Sequence, residues 1–134
     1  MTVDQQTGRC LCGAVRYRTT MSPVRVLACH CTTCKQRTGA AFGIGVYFNE
    51  GEIEFTAGKT DSDESGRWIK NYFCTQCGST VSWKTEMRPG LQAIAGGSYD
   101  DPSWFSIEAH IWTQSACNGI SFPEEVDVHE QALA

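Results

Sequence analysis

Residues 8–13 read Gly8-Arg9-Cys10-Leu11-Cys12-Gly13, and residues 73–78 read Phe73-Cys74-Thr75-Gln76-Cys77-Gly78. Each stretch holds a close pair of thiols followed at once by glycine. A glycine after the second thiol permits positive φ, so the chain wraps back and aims backbone N–H groups at sulfur. Two such turns are the usual halves of a closed four-thiolate zinc site. Cys10, Cys12, Cys74 and Cys77 are therefore read as the ligands of a structural zinc. Such a site, tying residue 10 to residue 77, would supply much of the folding free energy, on the order of 10 kcal/mol by analogy with small zinc peptides.

Between the two stretches lies Cys29-His30-Cys31-Thr32-Thr33-Cys34, followed by Lys35 rather than glycine. Its three thiols can meet at one metal from a single turn of chain. Three protein ligands leave one position of a tetrahedral metal open, as catalytic zinc requires. Cys29, Cys31 and Cys34 are read as this second, catalytic zinc site, making two zinc ions per fully loaded chain. In the alternative, His30 completes the second site and all seven thiols are structural, but the chain between two ligands tends to aim His30 away. Lys35 and Arg37 are either solvated or favour an anion beside the thiolates. Cys117 stands alone and reads as a small buried apolar residue.

Eight cysteines could also form four disulfides in a secreted protein. The first ten residues, MTVDQQTGRC, carry no apolar segment of a secretory leader. A C-x-C pair would close a very small ring if bridged. Clustered thiols in a chain read as cytoplasmic point to metal instead.

Outward from the cysteines, the 134 residues have the length and composition of a single zinc-binding domain, 41% hydrophobic and 19% charged. The periodicity is that of strands. Val15, Tyr17 and Thr19 alternate with Arg16 and Arg18; Phe42, Ile44, Val46 and Phe48 alternate with Gly43, Gly45 and Tyr47. The same pattern marks Ile53–Phe55, Val81–Trp83 and Phe105–Ile111, with further candidates at 24–29, 68–73 and 91–95. One short helix fits, Cys31 to Arg37 before Gly39. Lys59 to Gly66 reads as a polar loop. Trp68, Trp83, Trp104 and Trp112 read as core, and His110 as a packed strand residue with an acid–base role as the alternative. The class is mostly β with at most short helical turns.

Net charge is −4, against a general nucleic-acid binder. Residues 1–40 hold six Lys or Arg against one acid, whereas Glu124, Glu125, Asp127 and Glu130 fall in an acidic C-terminal tail, 123–134, that reads as solvated; its His129 reads as having no specific role. No apolar run is long enough to cross a bilayer, which excludes a helical membrane anchor.

The stretch Gly8 to Tyr17 resembles the opening of the glutathione-dependent formaldehyde-activating enzyme family, which includes centromere protein V relatives. The resemblance continues through Cys29–Cys34, Gly39-Ala40-Ala41-Phe42, Phe73–Ser79, Gly97-Ser98-Tyr99-Asp100-Asp101-Pro102 and His110-Ile111. The family-like region covers about residues 8–122. It implies an Mss4-like (β-tent) fold and the same division of thiols into four and three. One departure is visible: where members often carry Pro-Trp after the His-Ile strand, this chain has Ser115-Ala116-Cys117-Asn118-Gly119.

The resemblance implies a carbon–sulfur lyase-type activity that joins formaldehyde to glutathione, giving S-hydroxymethylglutathione. A thiol at an open zinc position is held as thiolate, and Lys35 and Arg37 would meet glutathione's carboxylates. Two alternatives belong to other classes. A zinc-stabilised binding module predicts a closed second site. A methionine sulfoxide reductase-like enzyme would use Cys117, but such enzymes bind zinc through two C-x-x-C pairs and only Cys74–Cys77 has that spacing.

Overall fold

The computed structural model describes residues 4–64 and 68–133. Strands dominate, with one α-helix among the described residues. β1 (Gln5–Arg9), β2 (Arg16–Thr20) and β5 (Glu54–Ala57) form a small antiparallel sheet in the order β1-β2-β5. The larger sheet holds β3 (Arg25–Cys29), β4 (Gly43–Asn49), β6 (Thr60–Asp63), β7 (Ile69–Cys74), β8 (Thr80–Thr85), β9 (Leu91–Ala95), β10 (Ala109–Ile111) and β11 (Asp127–Val128). Its order is β11-β10-β3-β4-β9-β8-β7-β6, antiparallel except where β10 lies parallel to both β3 and β11.

β4 is central because both its faces are covered. Val46 and Phe48 pack toward Tyr17, Ile94 and Tyr99, joining the two sheets. Tyr47, one residue out of phase, packs on the opposite face with Leu27, Trp83 and Ile111. Alternation puts successive side chains on opposite faces, so a strand in mid-sheet with two apolar faces belongs to two clusters at once. A third cluster of Cys10, Val15, Cys74 and Val81 fills the space between the two glycine-ended turns.

Strands expected at 15–19, 42–48, 68–73 and 91–95 are found within a residue or so. Four readings are corrected. The polar stretch from Lys59 contains β6, an exposed edge strand whose ladder to β7 needs no apolar residue; residues 65 and 66 of that stretch lie outside the described ones. Of Phe105–Ile111 only Ala109–Ile111 is strand. Phe105 and Ile107 instead pack beside Tyr99 and Trp104, and the Glu108 carboxylate accepts from Arg25 Nε (2.6 Å) and Val26 N (3.1 Å). The acidic tail is docked rather than merely solvated: His129 N donates to His110 O at 2.9 Å and β11 pairs with β10. Cys117 is exposed, not buried. β1, a polar strand with one buried position, gave no apolar alternation to read.

Candidate metal centre

The β1–β2 turn carries Cys10 and Cys12, and the β7–β8 turn carries Cys74 and Cys77. Their four sulfurs lie within 4.8 Å of one another. Cys12 Sγ is 3.6 Å from Cys10 Sγ and 3.8 Å from Cys74 Sγ. A tetrahedron with metal–sulfur bonds of about 2.3 Å has edges of about 3.8 Å, so the donor set fits zinc. Gly13 and Gly78 adopt φ of 80° and 79°. Their N–H groups turn back to Cys10 O (3.1 Å) and Cys74 O (2.9 Å). Val15 N donates to Cys10 Sγ and Gln76 N to Cys74 Sγ, each at 3.3 Å.

Ser79 was not singled out from sequence, yet it links the two turns. Its Oγ accepts from Leu11 N at 3.2 Å and lies 3.2 Å from Cys77 Sγ. The Ser79 hydroxyl and N–H together pull the Cys77 thiol down to about 5, which favours the thiolate a metal needs.

The second group forms where β3 runs into α1 (Thr32–Thr38). Cys29 ends β3, Cys31 is the helix N-cap and Cys34 lies in the first turn. Cys31 Sγ accepts from Cys34 N at 3.3 Å, the role a serine oxygen often plays at this position. Gly39, at φ 66°, closes the helix in the left-handed region. The three sulfurs lie within 4.8 Å of one another. Hydrogen bonds from Cys29 and Cys34 hold the Cys31 thiol far below its usual range, and the same contact to Cys31 pushes Cys29 up. Three adjacent sulfurs cannot all ionise unaided; a divalent cation removes that conflict, and soft thiolates suit zinc.

His30 is not part of this group. It is fully buried, with Nε2 2.9 Å from His110 Nδ1 and the rings of Phe42 and Phe122 beside it. Burial pushes both imidazoles below their ordinary value, so the pair is neutral at pH 7. His110 does not line the cavity that the thiols open onto.

That cavity, of about 440 Å³, has Cys29, Cys31 and Cys34 in its wall. Tyr47, Trp68, Trp83 and Trp112 contribute rings, so two tryptophans read as core sit at a cavity edge instead: Trp68 is exposed and Trp112 half-buried. Trp83 Nε1 donates to Tyr47 OH at 3.1 Å. Lys35 and Arg37 are absent from the wall. Lys35 Nζ donates to the Ser115 carbonyl. The Arg37 guanidinium stacks 4.0 Å from the Trp83 ring and reaches Cys34 Sγ at 3.5 Å. The cation in the wall is Arg88, 5.2 Å over the Tyr47 ring, which sequence reading did not single out.

The family model for glutathione-dependent formaldehyde-activating enzyme matches residues 5–115. The chain belongs to that family. The match contains all seven grouped thiols, α1 and both glycine-ended turns. No curated protein matches the chain. A crystal structure of a Rhodobacter sphaeroides protein is similar at 21% identity and a TM-score of 0.56, covering 70% of this chain and 87% of that one. That likeness concerns the fold.

Residues beyond the family match brace one edge of this cavity, although every described residue of its wall lies within the match. Trp112 is the sole non-glycine residue with positive φ among the described ones, at 59°. Its N–H donates to Gln131 O at 3.1 Å, and Thr113 N donates to His129 O at 3.1 Å. Residues beyond the matched stretch thus hydrogen-bond to the backbone at a cavity residue whose conformation costs about 1–3 kcal/mol. No helix among the described residues is long and apolar enough to cross a membrane.

Proposed function

We propose that the chain is a zinc-dependent carbon–sulfur lyase-type enzyme that adds a small thiol to an aldehyde and releases the two in reverse, as in glutathione plus formaldehyde giving S-hydroxymethylglutathione. The observation that carries this reading is the gathering of Cys29, Cys31 and Cys34 sulfurs in the wall of a cavity large enough for a small molecule. Cys10, Cys12, Cys74 and Cys77 would hold a structural zinc, and Cys29, Cys31 and Cys34 a second one. Zinc bound by the three thiols would supply a position at which an incoming thiol is kept as its thiolate.

The chain's own residues do the rest. Cys34 N and the Arg37 guanidinium stabilise negative charge on the Cys31 and Cys34 sulfurs. Trp83 and Tyr47, locked together by their hydrogen bond, exclude water from one wall. In the reaction the carbon–sulfur bond forms as the carbonyl π bond opens, and the thiol proton ends on the new hydroxyl. Nothing is oxidised or reduced overall, so no redox cofactor is required. The three-donor group, with His30 turned away, favours this reading over a closed binding module. Cys117 lies outside the cavity wall, so it does not face a molecule bound beside the three thiols.

The test pairs metal analysis with exchange spectroscopy. Reduced protein is expected to carry two zinc ions and to speed the interconversion of glutathione, formaldehyde and their adduct. Cys31→Ser is expected to lose one zinc and the rate. A Cys31→Ser protein that keeps both ions and full rate overturns the assignment.

A further inference from the structure

The geometry points to a preferred substrate thiol with an apolar, ring-sized body and a single carboxylate, bound ahead of a peptide thiol such as glutathione; this rests on the reading that Cys29, Cys31 and Cys34 form the reaction centre. The walls carry the argument. Lining the same cavity as the thiols are the rings of Tyr47, Trp83 and Trp112 with Leu27, Ile69 and Ile111. Gly45 leaves room for them: a Cβ there would lie 2.6 Å from the Tyr47 ring and 2.9 Å from the Trp83 ring. The rings thus lie against bare backbone and present an apolar surface to whatever occupies the space.

Glutathione brings two carboxylates, an ammonium and two amides. Each loses water on burial and needs a partner in the wall. Thr32, Thr33, Thr85, Gln114 and Ser115 can meet the amides, but the described wall offers no carboxylate for the ammonium and one cation, Arg88, because Lys35 is held by the Ser115 carbonyl and Arg37 stacks on Trp83 at the Cys34 sulfur. No carboxylate among the described residues pairs with Arg88; its guanidinium lies over Tyr47. One unpaired guanidinium at the edge of an aromatic cavity matches one carboxylate on an apolar body. Formaldehyde alone would leave most of about 440 Å³ to the thiol, so the thiol determines specificity.

The probes are 4-(mercaptomethyl)benzoate, its S-methyl thioether, benzyl mercaptan and glutathione, each titrated into the zinc-loaded full chain by calorimetry and tryptophan fluorescence. 4-(Mercaptomethyl)benzoate is expected to bind at least about tenfold tighter than glutathione. Arg88→Gln is expected to weaken it by about tenfold, the scale of a hydrogen bond to a charged group, while leaving benzyl mercaptan within about twofold, which also shows the variant is folded. Glutathione binding as tightly as the aromatic acid, or Arg88→Gln weakening both aromatic thiols alike or neither, overturns the inference. The thioether separates this from the functional reading. If it binds as tightly as the thiol and both still outbind glutathione, the cavity inference stands and the reaction-centre reading falls. If thiols outbind the thioether but glutathione leads, the reverse holds.

Discussion

The hydrogen bond between Trp83 Nε1 and Tyr47 OH lends itself to a double-mutant cycle, because both side chains are buried, at 3% and 6% exposure, and the bond is 3.1 Å long. Tyr47→Phe removes only the hydroxyl and leaves the indole N–H without a partner. Trp83→Phe leaves the hydroxyl without one and shrinks the ring. A buried polar group deprived of its partner costs about 1–3 kcal/mol. Each single variant should therefore lose at least about 1 kcal/mol, with Trp83→Phe losing about 1 kcal/mol more for lost packing. The double variant removes both polar groups and avoids the second penalty. Its loss should fall short of the sum of the singles by about 1–2 kcal/mol. In a chain of 134 residues each kcal/mol moves Tm by roughly 3–5 °C. Urea unfolding at fixed free zinc, with m-values compared across the four proteins, is the assay. Additivity within about 0.3 kcal/mol would show that the bond does not couple the two rings, and the rigid wall argued from it would be wrong.

Four other outcomes follow from the geometry. Cys74→Ser should unfold or strongly destabilise the protein, because it opens the four-sulfur group joining residues 10–12 to 74–77, whereas Cys31→Ser should leave a folded chain short of one zinc; matching melting curves for the two would contradict the division. Gly78→Ala, at φ 79° with open space around the new Cβ, should cost about 1–2 kcal/mol from backbone conformation alone, read by urea unfolding with zinc still bound. In zinc-free reduced protein at pH 6, iodoacetamide should label Cys31 before Cys29, since the first thiol is held low and the second is pushed up; peptide mapping showing the opposite order contradicts that pattern. The Cys77 thiol, lowered from 9.0 to about 5, favours the folded, metal-ready turn fully above pH 9 and loses that advantage as pH falls toward 5, so Ser79→Ala should shift acid release of zinc from the four-sulfur group to higher pH; an unchanged release profile would remove Ser79 from the site.

Much of this was legible in the sequence where chemistry is local. Gly13 and Gly78 mark turns that need positive φ, so the pairing of their cysteines could be read without knowing the sheet between them. The three thiols of 29–34 lie within a strand end and one helical turn, and the His30 reading followed from that same short path. What escaped depends on distant partners. Lys35 and Arg37 looked like anion contacts because they follow the thiols. Only the fold shows Ser115 and Trp83 facing them. Arg88 sits in a turn after β8 with no motif, and reaches the cavity because β4 presents Tyr47 beneath it. β6 escaped because an exposed edge strand needs hydrogen bonds, not apolar alternation.

The C-terminal segment bears on one edge of the cavity that Cys29, Cys31 and Cys34 line. The matched stretch, residues 5–115, supplies the thiols and the described cavity wall, Trp112 at positive φ included. Backbone contacts from His129 and Gln131, the pairing of β11 with β10, and Leu133 packed near Trp112's cluster brace that residue from the C-terminal segment. Ser115, at the end of the matched stretch, both borders the cavity and engages Lys35. A wall ring held in a costly conformation by a separate segment is a wall that can be reshaped without touching the thiols. Changes in residues 127–133 should thus alter the Trp112 edge of the cavity, and with it binding preference, before they alter metal content at Cys29, Cys31 and Cys34.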